Sequence, residues 1–306
     1  MFAFAACLAF AIVQAAGQAP PKLQVVVASD VTADLAAAVG GLDVEVVRVG
    51  GLGGDPHHAE PTPGDAAKVA RADLVVVFGL GLDGDLEKMH ATSGSKAEVL
   101  VLADQLGLPG QSCDHPDHAH GHADETPKSQ GIDPHAWHDP IKVITMTDRL
   151  QQALAERRPS DAGAFKERAE ALREKLRELD RWTREQLAKI PPDRRTVVIA
   201  HDALGHWGAR YGVRIISVEM IGHEVDVSPT RIMELVATVR ASGAPVIFGD
   251  VTHRSRIAAV VARESGTRLI ETLRLDGLAP AAEQGGSAYL ATMRGNTEVI
   301  AKALQP

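Results

Sequence analysis

The feature that most constrains this chain is a set of eight short aliphatic runs arranged in two groups of four. The first group is Leu23–Ala28, Val44–Val49, Leu74–Phe78 and Val99–Ala103; the second is Thr196–Ala200, Val213–Val218, Pro245–Phe248 and Arg268–Ile270. Unbroken Val/Ile/Leu runs of this length suit strands covered on both faces, so each group predicts a parallel sheet between helices. Between the groups, Phe165, Ala169, Leu172, Leu176, Leu179, Trp182 and Leu187 recur at spacings near three and four, with Ser160 as a candidate cap and Pro191-Pro192 as a stop. About 28 helical residues at 1.5 Å each span roughly 42 Å, the width of a domain pair. The pattern therefore predicts an α/β chain, with two lobes of parallel β-sheet flanked by helices and joined by one long rigid linking helix. The expected segments are 1–19 as a signal peptide, 20–157 as the first lobe, 158–190 as the linking helix and 191–306 as the second lobe.

Further helix starts are signed by capping residues followed by proline: Thr62-Pro63-Gly64-Asp65, Asp139-Pro140 and Ser228-Pro229. At the amino terminus, the uncharged run Phe2–Val13 precedes small residues, with Val13-Gln14-Ala15 the best cleavage match, and predicts export. The run is short for a membrane span. It lacks a preceding basic residue, and Phe4-Ala5-Ala6-Cys7 is a poor lipoprotein box, so a lipid anchor on Cys7 is not expected. Removal of this segment leaves Cys113 as the single cysteine, and no intramolecular disulfide.

Charge and composition narrow the function. With 32 basic and 40 acidic residues the formal charge is −8, and aromatics make up 4% of the chain, which argues against nucleic acid as a partner. Histidine stands out, at 13 residues, with His115, His118, His120 and His122 crowded into a polar segment, 112–125, that reads as a surface loop. Three other histidines follow strands or lie in the loops beyond them: His57 in Asp55-Pro56-His57, His135 in Asp133-Pro134-His135, and His201 in Val198-Ile199-Ala200-His201. Loops beyond the carboxyl ends of parallel strands are where such folds place ligands, so these imidazoles can converge. Glu271, from the last strand, would supply a fourth donor. Three imidazoles and one carboxylate suit tetrahedral Zn²⁺, whereas Mn²⁺ or Fe²⁺ is the less favoured expectation and a harder ion would call for more oxygen. The aspartates of the repeated Asp-Pro-His tripeptide are placed to orient the ligands. His58, His138, His206 and His223 read as rim residues, and His90 and His253 as surface.

These residues resemble the metal-binding solute-binding proteins of bacterial ABC importers, and within them the zinc-importer type. The likeness is carried by Gly54-Asp55-Pro56-His57 with Glu60-Pro61-Thr62-Pro63, by Ala72–Leu82, by Asp133-Pro134-His135-Ala136-Trp137, by His201-Asp202-Ala203-Leu204-Gly205 ahead of Arg210-Tyr211-Gly212, and by Tyr289–Asn296. It covers nearly the whole mature chain. The resemblance implies metal held in the cleft between the lobes by His57, His135 and His201. The family's carboxylate, usually Asp before Ser-Leu, falls on Glu271-Thr272-Leu273, with Asp276 as a competing alignment and Asp250 as a further acid that could face the cleft.

The expected function is a periplasmic high-affinity receptor, monomeric and not an enzyme, that delivers Zn²⁺ to a membrane permease with its cytoplasmic ATPase. The alternatives are a manganese or iron receptor of the same family, a histidine-rich metal buffer or adhesin, and a zinc hydrolase. Against the last, the chain has no His-Glu-x-x-His, no Gly-x-Ser-x-Gly and no carboxylate clearly placed as a general base. The histidine-rich loop is expected to collect Zn²⁺ weakly, or to sense its excess, with Cys113 as an optional soft ligand.

Overall fold

The computed structural model describes residues 20–50, 62–108, 132–219, 228–279 and 287–305. The presequence, Cys113, the loop histidines His115, His118, His120 and His122, and His57, His58 and His223 lie outside the described residues. In chain order the elements are β1 (Leu23–Val27), α1 (Asp30–Gly40), β2 (Val44–Arg48), α2 (Pro63–Ala70), β3 (Leu74–Val77), α3 (Gly84–Ser93), β4 (Glu98–Val101), α4 (Pro140–Arg157) and α5 (Ala162–Ala188). The second half continues with β5 (Thr196–His201), α6 (Gly205–Tyr211), β6 (Arg214–Glu219), α7 (Pro229–Ser242), β7 (Val246–Asp250), α8 (Arg256–Ser265), β8 (Arg268–Leu273) and α9 (Ala288–Leu304).

The eight aliphatic runs form the eight strands found among the described residues. They form two four-stranded sheets, ordered β2-β1-β3-β4 and β6-β5-β7-β8, and every pairing is parallel. In each sheet the strand order reverses beside a central strand, at β1/β3 and at β5/β7, which opens a crevice beyond the carboxyl ends.

Alternation along the strands divides the interior into three layers. Val26, Val75 and Val77 face one way and pack with α2 and α3; Val198 and Ile247 face outward in the second sheet and pack with α7 and α8. The opposite faces, with Val25, Val27, Leu74 and Val76 in one sheet and Val197, Ile199, Val246 and Phe248 in the other, join a single apolar core with α4, α5 and α9. The two lobes thus share their inner layer, and a large hinge opening would expose it.

Helix α5 is the linking helix, 27 residues long, and its apolar stripe is buried as the spacing predicts, with Trp182 half-buried. Ser160 does not cap it: Pro159–Asp161 forms a short 3-10 turn, and Asp161 stands at the helix start without a side-chain capping bond. The other three starts cap as expected: Thr62 and Asp65 form a reciprocal box, the Ile141 amide donates to the Asp139 side chain, and the Arg231 amide donates to the Ser228 hydroxyl oxygen. Asp180, buried on α5, takes a bidentate bond from Arg210 of α6 at 3.0 and 2.9 Å, which ties the linking helix to the second lobe. Burial alone would raise the Asp180 pKa, but Arg210 outweighs it and holds the carboxyl below the usual carboxylate range. Among the described residues no helix is long and apolar enough to cross a membrane.

Candidate metal centre

Three donors meet between the sheets: Nε2 of His135, Nε2 of His201 and Oδ1 of Asp276. Each of the three separations is 3.3 Å. His201 ends β5, Asp276 follows β8, and His135 opens the 3-10 turn Ala136–His138 that leads into α4, so the donors come from both lobes. His135 is fully buried, Asp276 nearly so, and the His201 side chain retains 16% exposure.

Asp133 defines the state of His135. One carboxylate oxygen accepts both the His135 backbone N–H at 2.9 Å and Nδ1–H at 2.7 Å. With Nδ1 donating, a neutral His135 turns a bare Nε2 lone pair toward His201 and the Asp276 oxygen. Three lone-pair donors so placed repel one another unless a cation or a proton lies among them. A tetrahedron of donors about 2.0 to 2.1 Å from a central ion has edges of about 3.3 to 3.4 Å. The 3.3 Å triangle therefore has the dimensions of one tetrahedral face.

The electrostatics agree with the geometry. Burial disfavours a charged His135, but the hydrogen bonds and charges of Asp133 and Asp276 outweigh it and push the imidazole up to about 9. Burial would likewise raise Asp276, yet His135 and His201 hold it well below the usual carboxylate range. Asp202, beside His201, is raised by its own burial and by the Asp133 charge. The site is poised to hold positive charge.

Each donor is braced by its surroundings. Trp137 is buried edge-on against Phe78, with ring centroids 5.1 Å apart, and its carbonyl accepts from the Tyr289 hydroxyl of α9 at 2.7 Å; together they anchor the turn that carries His135. Gly205, at the start of α6, lets the Asp133 carboxylate approach: a Cβ there would meet Oδ2 at 2.7 Å. The Asp276 loop is pinned along its backbone. Arg274 exchanges two bonds with the Asn296 side chain of α9, Asp250 accepts the Leu275 amide, His138 donates to the Leu275 carbonyl at 2.9 Å, and Asp30 of α1 accepts the Leu278 amide at 3.2 Å.

Several sequence expectations change here. The carboxylate that joins the imidazoles is Asp276, the competing alignment, and not Glu271. Glu271 lies within β8 opposite Gly249, and the strand runs on to Leu273 before the chain can turn toward the cleft. Asp250 does not face the cleft: it is buried, and its oxygens accept from the backbone amides of Thr252, His253 and Leu275 and from the Thr252 hydroxyl. His138 is no rim residue but is buried, its pKa lowered to about 4 by burial and then by the His135 charge, so it is neutral. His206 is half-buried, bonded to the Asp133 carbonyl at 3.0 Å and to Lys142 at 3.2 Å. Their proximity to the motifs was visible in the sequence. Their partners, 137, 73 and 64 positions away, were not. His90 bonds the Ala97 carbonyl and His253 is exposed.

Residues 25–303 match the family described as zinc-uptake complex component A, periplasmic (ZnuA). The chain belongs to this family of metal-binding solute-binding proteins of ABC importers. Its relatives differ in the metal they are named for. The chain is 29% identical over 295 residues to the manganese-binding lipoprotein MntA of Bacillus subtilis, spanning 94% of this chain and 91% of that one. It is 28% identical over 283 residues to the iron-binding protein YfeA of Yersinia pestis, spanning 92% and 86%. It is 27% identical over 268 residues to the zinc-binding protein AdcA of Streptococcus pyogenes, where 85% of this chain matches 52%, about half, of the longer relative. Among solved structures, the periplasmic zinc binding protein TroA of Treponema pallidum superposes with a TM-score of 0.80 at 22% identity, covering 94% of this chain and all of that one, a likeness of fold.

Proposed function

We propose that the chain is a periplasmic receptor that captures Zn²⁺ with His135, His201 and Asp276, completed by His57, and delivers it to the permease and ATPase of an ABC importer. The observation that carries the choice of zinc is the 3.3 Å triangle of two imidazole nitrogens and one carboxylate oxygen, sized for a tetrahedral ion and poor in oxygen for Mn²⁺. The shared inner core and the linking helix favour capture and release through small loop or tilt movements, with no chemical step at the ion. The ion is cargo, and export by the 1–19 segment would bring the receptor to it. The histidine-rich segment 112–125 acts in this reading as a weak collecting loop.

The test is metal content of the mature protein after competition among Zn²⁺, Mn²⁺ and Fe²⁺, for wild type and His135→Ala. The expected result is one tight Zn²⁺ in wild type that the substitution removes, and its retention when 114–124 is deleted. Preference for Mn²⁺ or Fe²⁺ would reassign the cargo, and a tight ion that survives His135→Ala would overturn the site.

A further inference from the structure

Two imidazoles outside the converging set cross between the lobes in opposite directions. His138, in the turn that carries His135, donates from Nε2 to the carbonyl of Leu275, the residue before Asp276 in the second lobe. His206, on α6 of the second lobe, donates from Nε2 to the carbonyl of Asp133 in the first lobe, the residue whose side chain holds Nδ1 of His135. Its Nδ1 accepts from Lys142 Nζ, which assigns the tautomer. Each bond thus runs from one lobe to the backbone that presents, or orients, a donor on the other.

Packing alone does not explain these residues. His138 is buried, and its Nδ1 has no hydrogen-bond partner among the described residues, a desolvation cost that a leucine would not carry. What the imidazole adds is a directed bond at a fixed distance. Asp250 holds the peptide that enters Leu275 through its N–H, and His138 holds the next one, which leads into Asp276, through its carbonyl.

We propose that His138 and His206 are positioning residues that set the spacing between His135 and Asp276, and so discriminate a tetrahedral ion from an octahedral one. The inference rests on the zinc-receptor reading and deepens it, from which ion is bound to what enforces the choice. Without the pair, the two lobes can shift by a few tenths of an ångström, enough to admit the longer bonds and extra oxygen ligands of an octahedral ion.

The variants are His138→Leu and His206→Leu, with His138→Gln and His206→Gln as partners that keep an N–H near the Nε2 position. Zn²⁺ and Mn²⁺ affinities are measured by chelator competition, the coordination of bound Co²⁺ by its visible absorption, and folding by melting of the metal-free protein. Each leucine variant is expected to weaken Zn²⁺ by about 10- to 100-fold and Mn²⁺ by about threefold or less, and to lower the intensity of the tetrahedral Co²⁺ band, with most of the loss restored by glutamine. An unchanged Zn²⁺/Mn²⁺ ratio and Co²⁺ spectrum in folded leucine variants overturns the proposal, even if both affinities fall equally. Should His138→Leu fail to fold, His206→Leu, at a partly exposed position, decides by the same ratio. Failure of the zinc-receptor reading would show in wild type itself, as no tight Zn²⁺ or an ion indifferent to His135→Ala, whereas failure of the clamp leaves wild type intact.

Discussion

The segment that carries His135 and the one that carries Asp276 do the same work by different means. Residues 133–139 are organised mostly by their own sequence: Pro134 restricts the backbone, Asp133 binds the amide and imidazole two positions on, and Asp139 caps the helix that follows. The loop from Arg274 to Leu278 has no such local order. It is held by Asn296, Asp250, His138 and Asp30, all distant in sequence. One donor is presented by a motif and the other by the assembled fold, so damage to the second should spread through more of the molecule.

The largest expected effect separates the two candidate carboxylates. Asp276→Asn should cost about 100-fold or more in metal affinity, since a ligand set of four shares a binding free energy of roughly 12 kcal/mol; Glu271→Gln should change it by less than about threefold. Isothermal titration of both variants checks this, and equal losses would dissolve the contrast. Next, Asp133→Asn should weaken binding by about 10- to 100-fold by loosening the His135 tautomer, as the same titration would show.

Acidity comes third. In the metal-free protein His135 is raised above its ordinary value near 6.5 to about 9, so at neutral pH an incoming ion displaces a proton. Apparent affinity should therefore rise by up to about tenfold per pH unit from 7 toward 9, seen as proton release in unbuffered titrations. The sign for stability is opposite: a raised imidazole stabilises the metal-free fold fully below about 6.5 and loses that contribution as the pH climbs through about 9. The metal-free melting temperature should fall over this interval, while the metal-loaded protein should not follow it. The smallest effect belongs to Gly205→Ala, whose methyl would press on the Asp133 carboxylate; a fewfold loss of affinity is expected in the wild-type background and no further loss when it is added to Asp133→Ala, by paired titration.

The further relation between lobes is visible at α9. From the sequence this helix was only a family likeness over Tyr289–Asn296. In the structure Tyr289 bonds the carbonyl of Trp137 and Asn296 bonds Arg274, so one helix braces both donor segments, and its own first turn is held by Asp34 of α1. A helix of 17 residues shows its apolar stripe in sequence, but nothing local says which peptide its polar side chains will meet.

What the sequence determined by itself follows from short-range physics. Buried parallel strands need continuous aliphatic runs, helices need periodic faces and caps, and a proline before a histidine restricts the chain locally; hence the eight strands, the linking helix, and His135 and His201 as candidate donors were legible. Choosing Asp276 over Glu271, withdrawing Asp250 into the backbone and bringing His138 and His206 across the lobes were decided only by tertiary structure. The Asp276 choice, the Asp250 bond to Leu275 and the His138 bond depend on where β7 and β8 end, for His138 relative to a turn more than a hundred residues earlier, and the His206 bond depends on where α6 lies against that turn; packing through the shared core sets these distances and no local pattern carries them.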